Sequence, residues 1–105
     1  MQERTQVFSL YHKHLLLNEL QKYIDDNNDQ VMTQFLDQHP DLDEKERGMI
    51  ILTALGMRSS SIAVCLGLKS DSVVRSLRHR LAKRLDLDIP LTDYLEGIVK
   101  NRPFL

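Results

Sequence analysis

Residues 72–85, SVVRSLRHRLAKRL, decide how the chain is read. At 100° per residue Val74, Leu77, Leu81 and Leu85 fall within an arc of about 80°, the width that one side of a helix buries. Opposite them stand Ser72, Ser76, His79 and Lys83, flanked by Arg75 and Arg80. From Val73 to Leu85 five Lys/Arg meet no Asp or Glu. A helix that only keeps its outer face in water mixes signs, so the clustering points to an anionic partner. Small hydroxyl residues near the helix start permit close approach to a base edge, the histidine adds a donor, and the cations suit phosphates. Arg78 and Arg84 lie at the edges of the apolar stripe. They are expected to pair with carboxylates such as Glu46 or to reach phosphates by snorkelling.

Working back from this helix, Gly67 closes a short helix that carries Ile62, Ala63, Cys65 and Leu66, with Ser59 as its expected cap. Cys65 lies between apolar neighbours and is expected to be buried and inert. Before it, Asp43 followed three places on by Glu46 has capping-box spacing, with Asp in the place of the usual Ser or Thr. The helix that follows has Met49, Ile50, Ile51, Leu52, Ala54 and Leu55 around most of its circumference. It is expected to be the central core helix, ended by Gly56 in the left-handed conformation. Forward of residue 85, a last helix is expected after Thr92, burying Leu95, Ile98 and Val99 and ended by Pro103.

At the N-terminal side, Glu3 to about Asp26 reads as one helix broken by Asp25, Asp26, Asn27 and Asn28. A short helix capped by Asp29 follows and stops near His39, because Pro40 disfavours helix in the residue before it. The first helix is apolar on every side of Leu15 to Leu17. Either the rest of the chain covers both sides or a second copy does, and a homodimer built on this helix is expected. The whole reads as all-α: an N-terminal helical segment, residues 1–40, followed by a four-helix module, residues 41–105.

Residues 42–85 resemble the LuxR-type helix-turn-helix, the output domain of many bacterial transcription regulators. The matches are Leu42 with Glu46, Gly56, Ile62-Ala63 with Leu66, and Val74, Leu81 and Leu85. The run from Arg78 to Leu85, followed by Leu91-Thr92-Asp93-Tyr94-Leu95, is most similar to the subgroup at the C-termini of large membrane-linked sensor regulators. Ser60-Ser61 stand where that pattern has a Lys-Glu pair, and Leu77 where it often has His. The resemblance implies sequence-specific binding of double-stranded DNA and transcription regulation.

The chain has 105 residues and a net charge of −1, which read alone would set nucleic acid aside. Position reverses that conclusion. Residues 1–56 hold 5 Lys/Arg and 10 Asp/Glu, and residues 57–105 hold 9 and 5. A dipolar molecule with one basic face follows. The length leaves room for one modest core, which argues against an enzyme. The single cysteine forms no internal disulfide, and no apolar run is long enough to span a bilayer. With no signal-peptide pattern either, a cytoplasmic location is expected. His12 and His14, two apart on a helix, point to different faces and do not suit a shared metal. No cofactor, metal or catalytic constellation is expected.

The expected activity is DNA reading by the helix Ser72 to Leu85 in the major groove. Ser72, Ser76 and His79 would meet base edges, while Arg75, Arg80 and Lys83 would hold phosphates. Ser59 and Ser60, at the start of the preceding helix, would donate to a neighbouring phosphate. Two alternatives stay open. The basic helix could dock on an acidic protein partner such as transcription machinery, or the module could be a promoter-reading domain like that of a sigma factor.

Overall fold

The structure, a computed structural model, describes the backbone of residues 2–100 and the side chains of residues 15–100. Six helices and no strand occur among the described residues: α1 Gln2–Asn27, α2 Val31–Asp37, α3 Glu44–Ala54, α4 Ser59–Leu66, α5 Asp71–Arg84 and α6 Leu91–Ile98. The all-helical reading holds, with α5 beginning and ending one residue earlier than expected and α6 starting at Leu91. His12, His14 and Pro103 lie outside the residues whose side chains are described.

Helix α3 forms where the sequence places it. The Asp43 side chain accepts from the Glu46 N–H at 2.8 Å while Glu46 accepts from the Asp43 N–H at 3.0 Å. That reciprocal box satisfies two of the donors that every helix start leaves open. Every residue from Gly48 to Leu55 is buried, so α3 is the axis on which the other helices pack. Gly48 makes this possible. A Cβ there would stand 3.1 Å from Leu66 of α4 and 3.2 Å from Leu17 of α1, so its absence lets two helices close on one turn of α3.

Three successive helices end in the same way. After α3, α4 and α5 a residue enters the left-handed region, Gly56 at φ 87°, Gly67 at φ 70° and Asp86 at φ 60°. The next residue then donates back across the last turn: Met57 to Leu52 at 3.2 Å, Leu68 to Ala63 at 2.8 Å and Leu87 to Ala82 at 2.9 Å. These are Schellman stops. Each satisfies helix-end carbonyls and turns an apolar side chain inward. Met57, Leu68 and Leu87 all pack against the core. Sequence reading identified the two glycines; Asp86 fills the third stop at some conformational cost, because only Gly enters that region freely.

The corner between α1 and α2 is built differently from the expectation. Asp29 does not cap α2. It and Gln30 both take positive φ, 54° and 62°, and no side chain of the N-cap residue bonds there. The cap comes from Asp25, seven residues back on α1. Its buried carboxylate accepts from the N–H groups of Met32 at 2.8 Å and Thr33 at 3.0 Å, and also from the Thr33 hydroxyl. The amides of Asn27 and Asn28 donate to the Tyr23 and Ile24 carbonyls at 2.8 and 2.9 Å, which explains why the polar run closes α1.

One buried core joins the two segments read at 1–40 and 41–105. Ile24, Met32, Phe35 and Leu36 belong to the same cluster as Met49, Ile50, Ile62, Val74, Leu81 and Leu95. The Phe35 ring of α2 lies 5.7 Å from that of Tyr94 in α6. Lys100 donates its N–H to Asn28 Oδ1 at 2.9 Å, tying the far side of α6 to the α1–α2 corner. No helix among the described residues is long and apolar enough to cross a membrane.

A candidate nucleic-acid interface on α5

The buried stripe of α5 is Val74 and Leu81 with Ala82 beside them; Leu77 and Leu85 pack partly against the core. Anchoring that stripe fixes which side chains are left outside. Ser72, Arg75, Ser76, His79, Arg80 and Lys83 are all exposed, so the structure brings the six α5 residues singled out by sequence onto one accessible face.

Their electrostatics are less uniform than the sequence count suggests. Asp71, two residues before the counted stretch, pairs with Arg75 one turn on at 2.9 Å, and Arg75 also donates to the Ser72 hydroxyl at 3.3 Å. Both ends of that ion pair are well exposed, so water and salt screen it and a phosphate can displace it at small cost. Arg84 is engaged with Glu46 of α3, at 2.7 Å to one carboxylate oxygen and 2.9 Å to the other. The hydrogen bond from Arg84 holds the Glu46 carboxyl below its ordinary range, and the same bond raises the Arg84 guanidinium. The expected partner of Arg84 is therefore the observed one. Arg80 and Lys83 make no ion pair among the described residues, and with His79 they form the open cationic end of the face. Part of this distribution also serves the helix itself. Asp71 sits in its first turn and Lys83 and Arg84 in its last, the arrangement that the helix dipole favours.

Ser59 and Ser60 open α4. Ser59 is the first residue inside α4 and does not cap it; Arg58 takes the N-cap position without a side-chain bond. The Ser59 hydroxyl accepts from Arg78 at 3.0 Å, so it lies beside the middle of α5. Ser72 is six positions from Arg78, about 9 Å along the axis. Ser60 is exposed at the head of α4.

For Arg78, sequence reading expected a carboxylate partner or a reach to phosphates and missed the hydroxyls that hold it. Among the described residues no carboxylate pairs with it. Its terminal nitrogens donate to Ser59 Oγ at 3.0 Å and Thr92 Oγ1 at 3.2 Å, and its Nε is buried with no hydrogen-bond partner. Burial, and secondarily the neighbouring Arg75 charge, hold its pKa below the ordinary arginine value. The side chain forms one wall of a cleft of about 470 Å³ between α5 and the start of α6. Arg75, His79 and Lys83 share that wall, and Asp88, Ile89 and Pro90 face them. The one available signal was its place at the edge of the apolar stripe, where a long cationic side chain is drawn along a helix boundary.

Cys65 is exposed, contrary to expectation. The side of α4 that packs is the one carrying Ile62, Ala63 and Leu66, and Val64 beside Cys65 is 81% exposed. No group of three or more His, Cys, Asp or Glu suited to a metal occurs among the described residues. No family model, no curated protein and no solved structure matches the chain.

Proposed function

We propose that the chain is a sequence-specific DNA-binding transcription regulator that places α5 in the major groove. The observation that carries this reading is the joint exposure of Ser72, Arg75, Ser76, His79, Arg80 and Lys83 on one side of α5, with the opposite side locked into the core. A rigidly held helix with hydroxyls at its head, an imidazole in its middle and exposed cations toward its end matches the donor set that base edges and phosphates require. Resemblance to the LuxR-type helix-turn-helix supports the same assignment of α4 as the preceding helix and α5 as the reader.

Salt titration tests it. Wild-type protein should lose affinity for duplex steeply as salt rises, and Arg80→Ala and Lys83→Ala should each lower the log–log slope by about one. Ser76→Ala and His79→Ala should instead change which sequences are preferred at a fixed salt concentration. Absence of binding to any duplex at low salt, with capture of an acidic protein partner through the same face, would give the helix to protein docking.

The functional unit on this reading is a homodimer formed through α1. Leu15, Leu16 and Tyr23 are 44%, 56% and 49% exposed on that helix, and Leu16 and Tyr23 stand two turns apart on one side. Two copies joined there would present two α5 helices to paired half-sites. Light scattering on wild type and Leu16→Glu checks this; a monomeric mass for wild type at working concentration would exclude it.

A further inference from the structure

We propose that Arg78, with the Ser59 and Thr92 hydroxyls, forms a phosphate-binding site where α4, α5 and α6 meet. The site extends the DNA-reading assignment and rests on it only for the source of the phosphate.

A guanidinium half withdrawn from water needs a counter-charge or a full set of acceptors. Arg78 has neither among the described residues: two hydroxyls take one N–H from each terminal nitrogen, Nε–H has no acceptor, and no carboxylate pairs with it. The surroundings add to the imbalance. Ser59 is the first residue of α4 and Thr92 the second of α6, so the positive ends of two helix dipoles converge on the same guanidinium. Neither helix has a side-chain cap at its start, since Arg58 and Pro90 occupy those positions. Arg75 lies on the same cleft wall. Against these stand Asp71, which pairs with Arg75, Asp88 across the cleft and Asp93 in the first turn of α6. None of the three pairs with Arg78.

An anion entering the cleft supplies the missing counter-charge. Each terminal nitrogen keeps a second N–H, Ser59 steadies the guanidinium from the α4 side, and the Thr92 hydroxyl, which lines the cleft, can turn its own proton toward an oxygen there. That set of paired N–H and O–H donors around one fixed cation suits a tetrahedral phosphate oxygen group. The cleft is about 470 Å³, ample for a phosphate and the sugar atoms attached to it. The phosphate could be a diester of the DNA backbone or the phosphate of a small ligand, and both share this chemistry.

The test uses the whole chain with ¹⁵N-labelled arginine. Because Nε is buried, its proton should exchange slowly enough to be observed. Addition of inorganic phosphate at constant ionic strength should shift the Arg78 Nε–Hε signal saturably, where chloride does not. A short duplex should shift the same signal if the backbone is the source, and Arg78→Met should then weaken duplex binding about tenfold and lower the salt slope by about one. Ser59→Ala with Thr92→Val, which leaves the arginine in place, should weaken it severalfold and guards against misfolding of the arginine variant. An Arg78 signal unmoved by both phosphate and duplex overturns the site, whether or not α5 binds DNA. Phosphate binding by a protein that retains no duplex at low salt keeps the site and discards the DNA reading. Phosphate binding together with unchanged duplex affinity in Arg78→Met assigns the site to a free phosphate-bearing ligand.

Discussion

The α1–α2 corner and the α4–α5–α6 junction each withdraw one charge from water, and they treat it in opposite ways. Asp25 is 4% exposed and surrounded by donors: two backbone N–H groups and a threonine hydroxyl bind its two oxygens. Arg78 is half-buried and has two acceptors for five N–H donors. A charge whose bonds are all supplied by its own chain holds the fold together and has nothing left to offer. A charge left short of partners, open to a cleft on one side, is available to something outside. The difference separates architecture from interface in a protein where both are made from ordinary ionic side chains.

The largest test of this contrast is Asp25→Ala, which orphans the first N–H groups of α2 and the Thr33 hydroxyl. It should lower unfolding free energy by about 3 kcal/mol, read from urea denaturation, since bonds to a charged acceptor are each worth about 1.5–3 kcal/mol. A loss below about 1 kcal/mol would mean that the corner does not depend on its buried acid.

Glu46 offers an intermediate case, because its carboxylate both closes the α3 box and binds Arg84. Glu46→Ala should cost about 1 kcal/mol, mostly through the cap, while Glu46→Gln can keep the box and loses only the half-exposed ion pair, about 0.5 kcal/mol. The pH dependence follows from the lowered Glu46 pKa. A carboxyl depressed on folding adds stability that is present above its unfolded value, about 4.3, and is lost as pH falls through the folded value. Urea midpoints measured between pH 6 and pH 3, both ordinary working conditions for such titrations, should fall less for Glu46→Gln than for wild type. Equal falls would remove the ion pair from the account.

Asp29 and Gln30 are held in left-handed conformations so that α2 can turn back onto Asp25. Gln30→Gly should relieve part of that strain and raise stability by up to about 1 kcal/mol, visible as a higher melting temperature. The smallest effect expected on stability is also the most diagnostic. Arg78→Met should change unfolding free energy by less than about 1 kcal/mol, because exchanging an incompletely paired buried charge for an apolar side chain of similar length is often neutral. A loss comparable to that of Asp25→Ala would make Arg78 a structural ion and erase the contrast.

What sequence alone disclosed has a consistent physical pattern. The capping box at Asp43 and Glu46 and the glycine stops at Gly56 and Gly67 were legible because a few adjacent residues determine them. The Asp25 cap was not, because its partners lie seven and eight residues away around a turn that only the packed corner defines. Cys65 was misplaced because α4 is apolar on nearly every side, so its composition does not reveal which side packs. On α5 the exposed face was correctly read from spacing. Its charge balance was read only in part: the pairing of Arg84 with Glu46 was expected, while that of Arg75 with Asp71 was not. Arg78 looked like any edge cation until α6 brought Thr92 beside it.

The bond from Lys100 N–H to Asn28 Oδ1 spans 72 positions of chain. In kinetic language it closes the widest loop among the described hydrogen bonds, and loop closure grows entropically more demanding with length. The α3–α4–α5 unit, whose stops and caps are local, can therefore order before this closure, which seats only the end of α6 against the α1–α2 corner; the Arg78–Thr92 bond spans 14 positions and does not depend on it. Native-state hydrogen exchange should then show the Lys100 amide opening before the amides of α3.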